Sequence, residues 1–110
     1  MSLDWTAVQA RYADHPKLPS LRGTTSVEVT DVDDERICLR QRLWRDCVLR
    51  DELETALAML EAGELDPEPL AFAEGMRRYY ASGPQVRTDC TRGPNLTAVV
   101  LADLGYLSSP

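Results

Sequence analysis

The chain is short of several residue types at once. A single lysine (Lys17) stands against eleven arginines, His15 is the only imidazole and Phe72 the only phenylalanine, and the three cysteines (Cys38, Cys47, Cys90) contain no CxxC pair. With one histidine, no Ser–His or Cys–His catalytic pair stands out and no HExxH motif can exist. Walker loops, GxGxxG and GxSxG are also absent. A metal site would have to gather His15 and three scattered cysteines, with none of the short ligand spacings of zinc modules, so neither metal nor cofactor is expected. No apolar run approaches the roughly 18 residues of a membrane-spanning helix. The opening MSLDWTAVQARYADHP lacks the basic start and apolar stretch of a secretory signal. An odd cysteine count then reads as thiols in a reducing compartment. Cytoplasmic location follows as the expectation, with Cys38 and Cys47 as small hydrophobes in or near the core.

What is present suits one ordinary domain over residues 1–110. The 110 residues are 44% apolar and carry a net charge of −6, and a chain of this length can bury roughly two-thirds of its unfolded surface. The arginine-for-lysine skew is a compositional association of GC-rich bacterial genomes. Charge is distributed unevenly. Residues 1–50 are neutral, 51–76 hold eight acids and no base, and 77–110 carry +2.

Periodicity and end signals give the elements. Asp4 is placed to cap a short helix in which Trp5, Val8 and Tyr12 form one apolar stripe, and the His15-Pro16 step ends it. PKLPSLRGTT, with two prolines and a glycine, reads as an extended connector. Val27 and Val29, then Ile37 and Leu39, alternate with polar residues around DVDDE, the pattern of an antiparallel hairpin. Asp51 with Glu54 makes a capping box for a helix on Leu53, Ala56, Leu57 and Leu60 that Gly63 closes. A third helix runs from Pro67 or Pro69 to about Ser82, with Gly75 implying close packing. A fourth is capped by Asn95 and stopped by Gly105, with Tyr106 packing back on Leu101. The expected fold is α+β, in the order α-β-β-α-α-α: a small antiparallel hairpin packed against about four helices. A third strand over Leu43–Leu49 is the alternative.

The densest chemistry is ERICLRQRLWRDCVLRDELE, where five of the twelve basic residues fall within residues 36–50. If 36–44 is one strand, period two sets Cys38, Arg40, Arg42 and Trp44 on one face and Ile37, Leu39, Gln41 and Leu43 on the other. The first set is then a solvent-side stripe of guanidiniums ending in an indole, with Arg45 beside it. Such a stripe can pair with the acidic 51–76 segment, within the chain or across a dimer, or it can receive an acidic peptide. Nucleic acid is the weaker partner, because a pI near 4.7 gives an unfavourable field and the helix that begins at Asp51, with the turn after it, bears seven acids and no base. The other candidate is VRTDCTRGPNLT, where Cys90 lies between Arg87 and Arg92 ahead of a helix start, a setting that favours thiolates and anions. It lacks phosphatase-loop spacing, for Leu96 stands where the arginine should be. An apolar face around Phe72, Met76 and Tyr79 would make a dimer seam if the hairpin leaves it open.

The reading is therefore a small regulatory or interaction module, homodimeric and bacterial. It would recognise an acidic peptide or protein surface through Arg40, Arg42, Trp44 and Arg45, with Arg87 and Arg92 as further binding candidates. The alternatives are a small tailoring enzyme using Cys90 and Arg92, and a nucleic-acid-binding protein.

Overall fold

Asp4 accepts a hydrogen bond from the Ala7 amide at 3.2 Å and so starts helix α1 (Trp5–Tyr12), whose stripe of Trp5, Val8 and Tyr12 is buried. A computed structural model describes residues 3–21, 23–82 and 93–108 of the chain. After α1 come four strands, β1 (Lys17–Pro19), β2 (Ser26–Val32), β3 (Arg36–Gln41) and β4 (Trp44–Leu49). They are followed by helices α2 (Arg50–Glu61), α3 (Pro69–Ser82) and α4 (Gly93–Asp103). The fold is α+β, an antiparallel sheet in the order β1-β2-β3-β4 with the helices collected on one face.

The sheet is larger than a hairpin for two reasons. Part of the proline-bearing connector pairs with β2, Leu18 opposite Val27, as an edge strand where Pro19 is tolerated. The other is that residues 36–44 are not one strand. The chain reverses at Arg42 and Leu43, and Gln41 faces Trp44 across a two-residue turn. Neither turn residue takes a positive φ, and neither is the Gly or Asn that such turns favour, which is why the reversal carries no sequence signal. The Leu43–Leu49 alternative is thus realised as β4.

Strand register decides which residues are buried. Strict alternation along β2 would turn Asp31 into the core. An irregularity between Val29 and Asp31 restores the outward position of Asp31 and sets Val27, Val29 and Val32 on the inner face. Ile37, Leu39 and Val48 join them, fully buried. The turn into β3 is built by Asp33, whose carboxylate accepts from the Glu35 and Arg36 amides at 2.8 and 3.0 Å. The backbone bond from the Glu35 amide holds the Asp33 carboxyl below its ordinary pKa, against the opposing effect of desolvation, with Arg36 adding to the lowering.

Cys38 and Cys47 are not free thiols. They face each other across β3 and β4, with Cα atoms 3.9 Å apart, and are joined by a disulfide. The expectation of two small hydrophobes fails because the eight intervening residues fold into a hairpin that sets the two side chains opposite each other. Both sheet edges are guarded. Pro19 interrupts the β1 edge, and on the β4 edge the Cys47 amide donates to the Asp46 carboxylate at 2.8 Å instead of staying open to another strand.

Helix α2 begins one residue before the expected cap. Leu49 is the N-cap and makes no side-chain bond, while Asp51 and Glu52 lie in the first turn and Arg50 pairs with Glu54 at 3.4 Å. Strand β4 runs straight into the helix, so Asp51 has no non-helical position from which to cap. Glu52 is buried, unlike the solvated acids around it. Gly63 (φ 77°) ends the helix with Gly63-to-Leu60 and Glu64-to-Met59 backbone bonds, and Gly105 (φ 90°) ends α4 in the same way. A Cβ on Gly75 would lie 2.7 Å from Leu65 Cδ2, the close packing its place in α3 implied.

Helix α4 is the centre of the helical layer, with eight buried residues and contacts to α2, α3, β1 and β4. It starts at Gly93, with Pro94 preset for the first turn, so Asn95 is inside the helix and does not cap it. Its far end is tied to α1. Tyr12 Oη donates to Asp103 at 2.7 Å and Arg11 Nε to the same oxygen at 2.8 Å. Burial works against ionising Asp103, but the bonds from Arg11 and Tyr12 outweigh it and hold its pKa below the ordinary range. Burial, then the Asp103 bond, push the Tyr12 hydroxyl well up.

These shifts set a pH dependence. The lowered Asp103 contributes stability that is complete above its unfolded value of about 4 and is lost as pH falls through the folded one. The raised Tyr12 contributes stability that is complete below about 10 and is lost as pH rises. Urea unfolding against pH should show both losses. Tyr12→Phe should cost about 1.5 kcal/mol near neutrality and flatten the alkaline loss. Removing both cysteines (Cys38→Ala with Cys47→Ala) should cost about 2.5 kcal/mol, the loop-closure value for so short a ring.

Candidate functional site

The β3–β4 ladder sorts the arginine-rich stretch into two faces. The Arg50 amide donates to the Glu35 carbonyl, which makes 35/50, and alternately 37/48, 39/46 and 41/44, the hydrogen-bonded rungs. The rungs between them, Arg36/Leu49, Cys38–Cys47 and Arg40/Arg45, are the close non-hydrogen-bonded kind, and all point to the outer face. Arg40 and Arg45 are therefore like charges set directly opposite each other, a destabilising arrangement within a sheet.

This replaces the single stripe with a different arrangement. Arg40 and Arg45 do come together, Arg40 reaching Glu28 through Nη2 at 2.8 Å. Arg42 does not share their face; it lies in the turn with Leu43, which is 90% exposed. Trp44 belongs to the opposite face, half-buried against the core beside Gln41, because the reversal at residues 42–43 shifts its parity. Among the described residues, Arg42 and Arg45 form no ion pair. The acids of 51–76 are engaged elsewhere in part. Glu54 pairs with Arg50 and Glu74 with Arg77, while Asp66 and Glu68 bond amides at the start of α3.

A cavity of about 630 Å³ is bounded by Ser20, Leu21, Thr24 and Thr25, the tip end of the hairpin, α3 and the first turns of α4. Val27, Leu96 and Val99 line it from below; Gln41, Trp44, Arg77 and Asn95 supply polar and aromatic groups. Gln41 is held by bonds from its amide nitrogen to Thr25 Oγ1 and the Ser26 carbonyl, both at 3.0 Å. Arg77 is braced by Glu74 and by Asn95 Oδ1, each at 2.7 Å. The size is that of a small-ligand or side-chain pocket. Gln41 and Trp44, the two residues that flank the Arg42–Leu43 turn, both line it.

Arg77 and Asn95 escaped the sequence reading. They are 18 residues apart on different helices, and no spacing rule joins them. Arg87, Cys90 and Arg92 lie outside the described residues. His15 is exposed with φ 52°. The apolar face of α3 is closed within the monomer at Phe72 and Met76, which are fully buried, while Leu70 and Tyr79 are its large apolar side chains that reach solvent. No protein-family model matches the chain, and no curated protein and no solved structure is significantly similar to it.

The Arg77–Asn95 bond ties α3 to α4 at the cavity wall. Asn95→Ala should lower stability by about 1 kcal/mol in urea unfolding, leaving the guanidinium held by Glu74 alone.

Proposed function

We propose that the chain is a non-enzymatic recognition module whose β3–β4 tip takes an acidic segment of a protein partner. The observation that carries this reading is Leu43, 90% exposed at the turn, with Arg42 beside it and Arg45 just beyond, neither in an ion pair among the described residues. A fold gains nothing from an apolar side chain in water or from two arginines opposed across a rung. A partner carrying carboxylates and one apolar anchor resolves both. Guanidinium groups fork onto carboxylates, and the adjoining cavity offers the anchor a partly apolar seat beside Trp44. The reading includes a homodimer, with Leu43 and the 44% exposed Leu49 as apolar contacts on the hairpin. It also includes a cytoplasmic setting, where the Cys38–Cys47 bond would exchange with cellular thiols and not act as a permanent staple. No helix among the described residues is long and apolar enough to cross a membrane.

Titration with a fluorescent Asp/Glu-rich peptide bearing one leucine tests the reading. Arg42→Glu with Arg45→Glu should weaken binding by at least about tenfold and reduce its salt dependence. Arg78→Glu, on the exposed side of α3, should leave binding unchanged. Equal affinity in the double variant, or an oligonucleotide that outcompetes the peptide, would contradict it.

A further inference from the structure

The outer face of the sheet places the disulfide between two arginine-bearing rungs, Arg36/Leu49 on one side and Arg40/Arg45 on the other. The bond joins residues that the hydrogen-bonded rungs Ile37/Val48 and Leu39/Asp46 already keep in register, and it lies on the face away from the apolar core. The two residues it joins differ in exposure, Cys38 being 4% exposed and Cys47, on the edge strand, half-buried. Nearby cations favour thiolates. Here Arg36 is shared with Asp33 and Arg40 with Glu28, and Asp31 lies opposite Cys38 on β2. Arg45, one outward position before Cys47 on β4, is the cation of this group with no acidic partner among the described residues.

We propose that Cys38–Cys47 is a thiol–disulfide exchange site that a dithiol reductant opens while the domain stays folded, and that its state sets how firmly the hairpin tip is held. The second half rests on the tip being the recognition element. A reductant thiolate attacks Sγ of Cys47, the more exposed residue of the pair. The Cys38–Cys47 bond breaks, and Cys38 leaves as a thiolate and takes up a proton. The reductant's second thiolate then attacks its own sulfur in the mixed disulfide and releases Cys47, whose thiolate forms beside Arg45 before it too is protonated. Two electrons and two protons pass to the protein, and the reductant ends as an intramolecular disulfide.

The test uses Cys90→Ser protein, so that only these two sulfurs report, with dithiothreitol as reductant, alkylation as quench and mass as readout. The native protein should gain two labels in the absence of denaturant while keeping its far-ultraviolet circular dichroism. Arg45→Glu should slow the gain roughly fivefold and Arg45→Gln by less, because the charge beside the departing thiolate is reversed or removed. Labels that appear only at urea concentrations that unfold the chain, or rates indifferent to residue 45, would overturn the exchange site. No partner enters this measurement, so a failure of peptide recognition leaves it intact. A peptide affinity that is the same before and after reduction would overturn the regulatory half alone.

Discussion

The β3–β4 register is the constraint on which the rest of the molecule depends. Ile37, Leu39 and Val48 must face the helices, and the two-residue turn at Arg42–Leu43 fixes their pairing. Period two then leaves no freedom for the remaining residues. Arg36, Cys38, Arg40, Arg45, Cys47 and Leu49 go to the outer face, and Gln41 and Trp44 to the cavity. A slip of one residue would drive two guanidiniums into the core. The burial that stabilises the sheet therefore also assembles the cationic rungs, the disulfide and the wall of the cavity.

Local signals were legible where one residue type performs one local task. The Asp4 cap, the Trp5–Val8–Tyr12 stripe, the glycine ends of α2 and α4 and the buried Ile37 and Leu39 are all of this kind. The misses arise where a tertiary demand overrides a local preference. The Arg42–Leu43 turn lacks the residues that announce a reversal, so the arginine stretch reads as one long strand. The extra residue near Thr30 flips a face that alternation alone assigns wrongly. Asp51 and Asn95 look like caps, yet the helices start earlier because β4 enters α2 without a break and Pro94 preorganises the first turn of α4. The cavity is drawn from four separate parts of the chain, and of its walls the sequence singled out Trp44 alone as a binding candidate.

Charge placement separates two roles. The acids of α2 and the turn that follows keep the surface anionic and cap α3, tasks that need no specific partner. The arginines at the tip contribute little to the fold, being exposed, mutually repelling in one rung and unpaired at two of three positions among the described residues. On the proposed reading, cations concentrated on one turn of an acidic domain would orient an anionic partner toward that turn. The guarded edges fit the same picture. With Pro19 on one side and the Asp46–Cys47 bond on the other, sheet extension is disfavoured, which leaves the proposed contact to side chains at the tip.

Amide chemical-shift mapping during titration of the isotopically labelled chain with a leucine-bearing acidic peptide addresses this account most directly. If the hairpin tip is the recognition element, the largest shifts fall on residues 40–47 and on the cavity wall at Gln41, Trp44 and Arg77, with the α2–α3 turn undisturbed. Shifts centred on the acidic turn or on α1, with the hairpin tip silent, would contradict it.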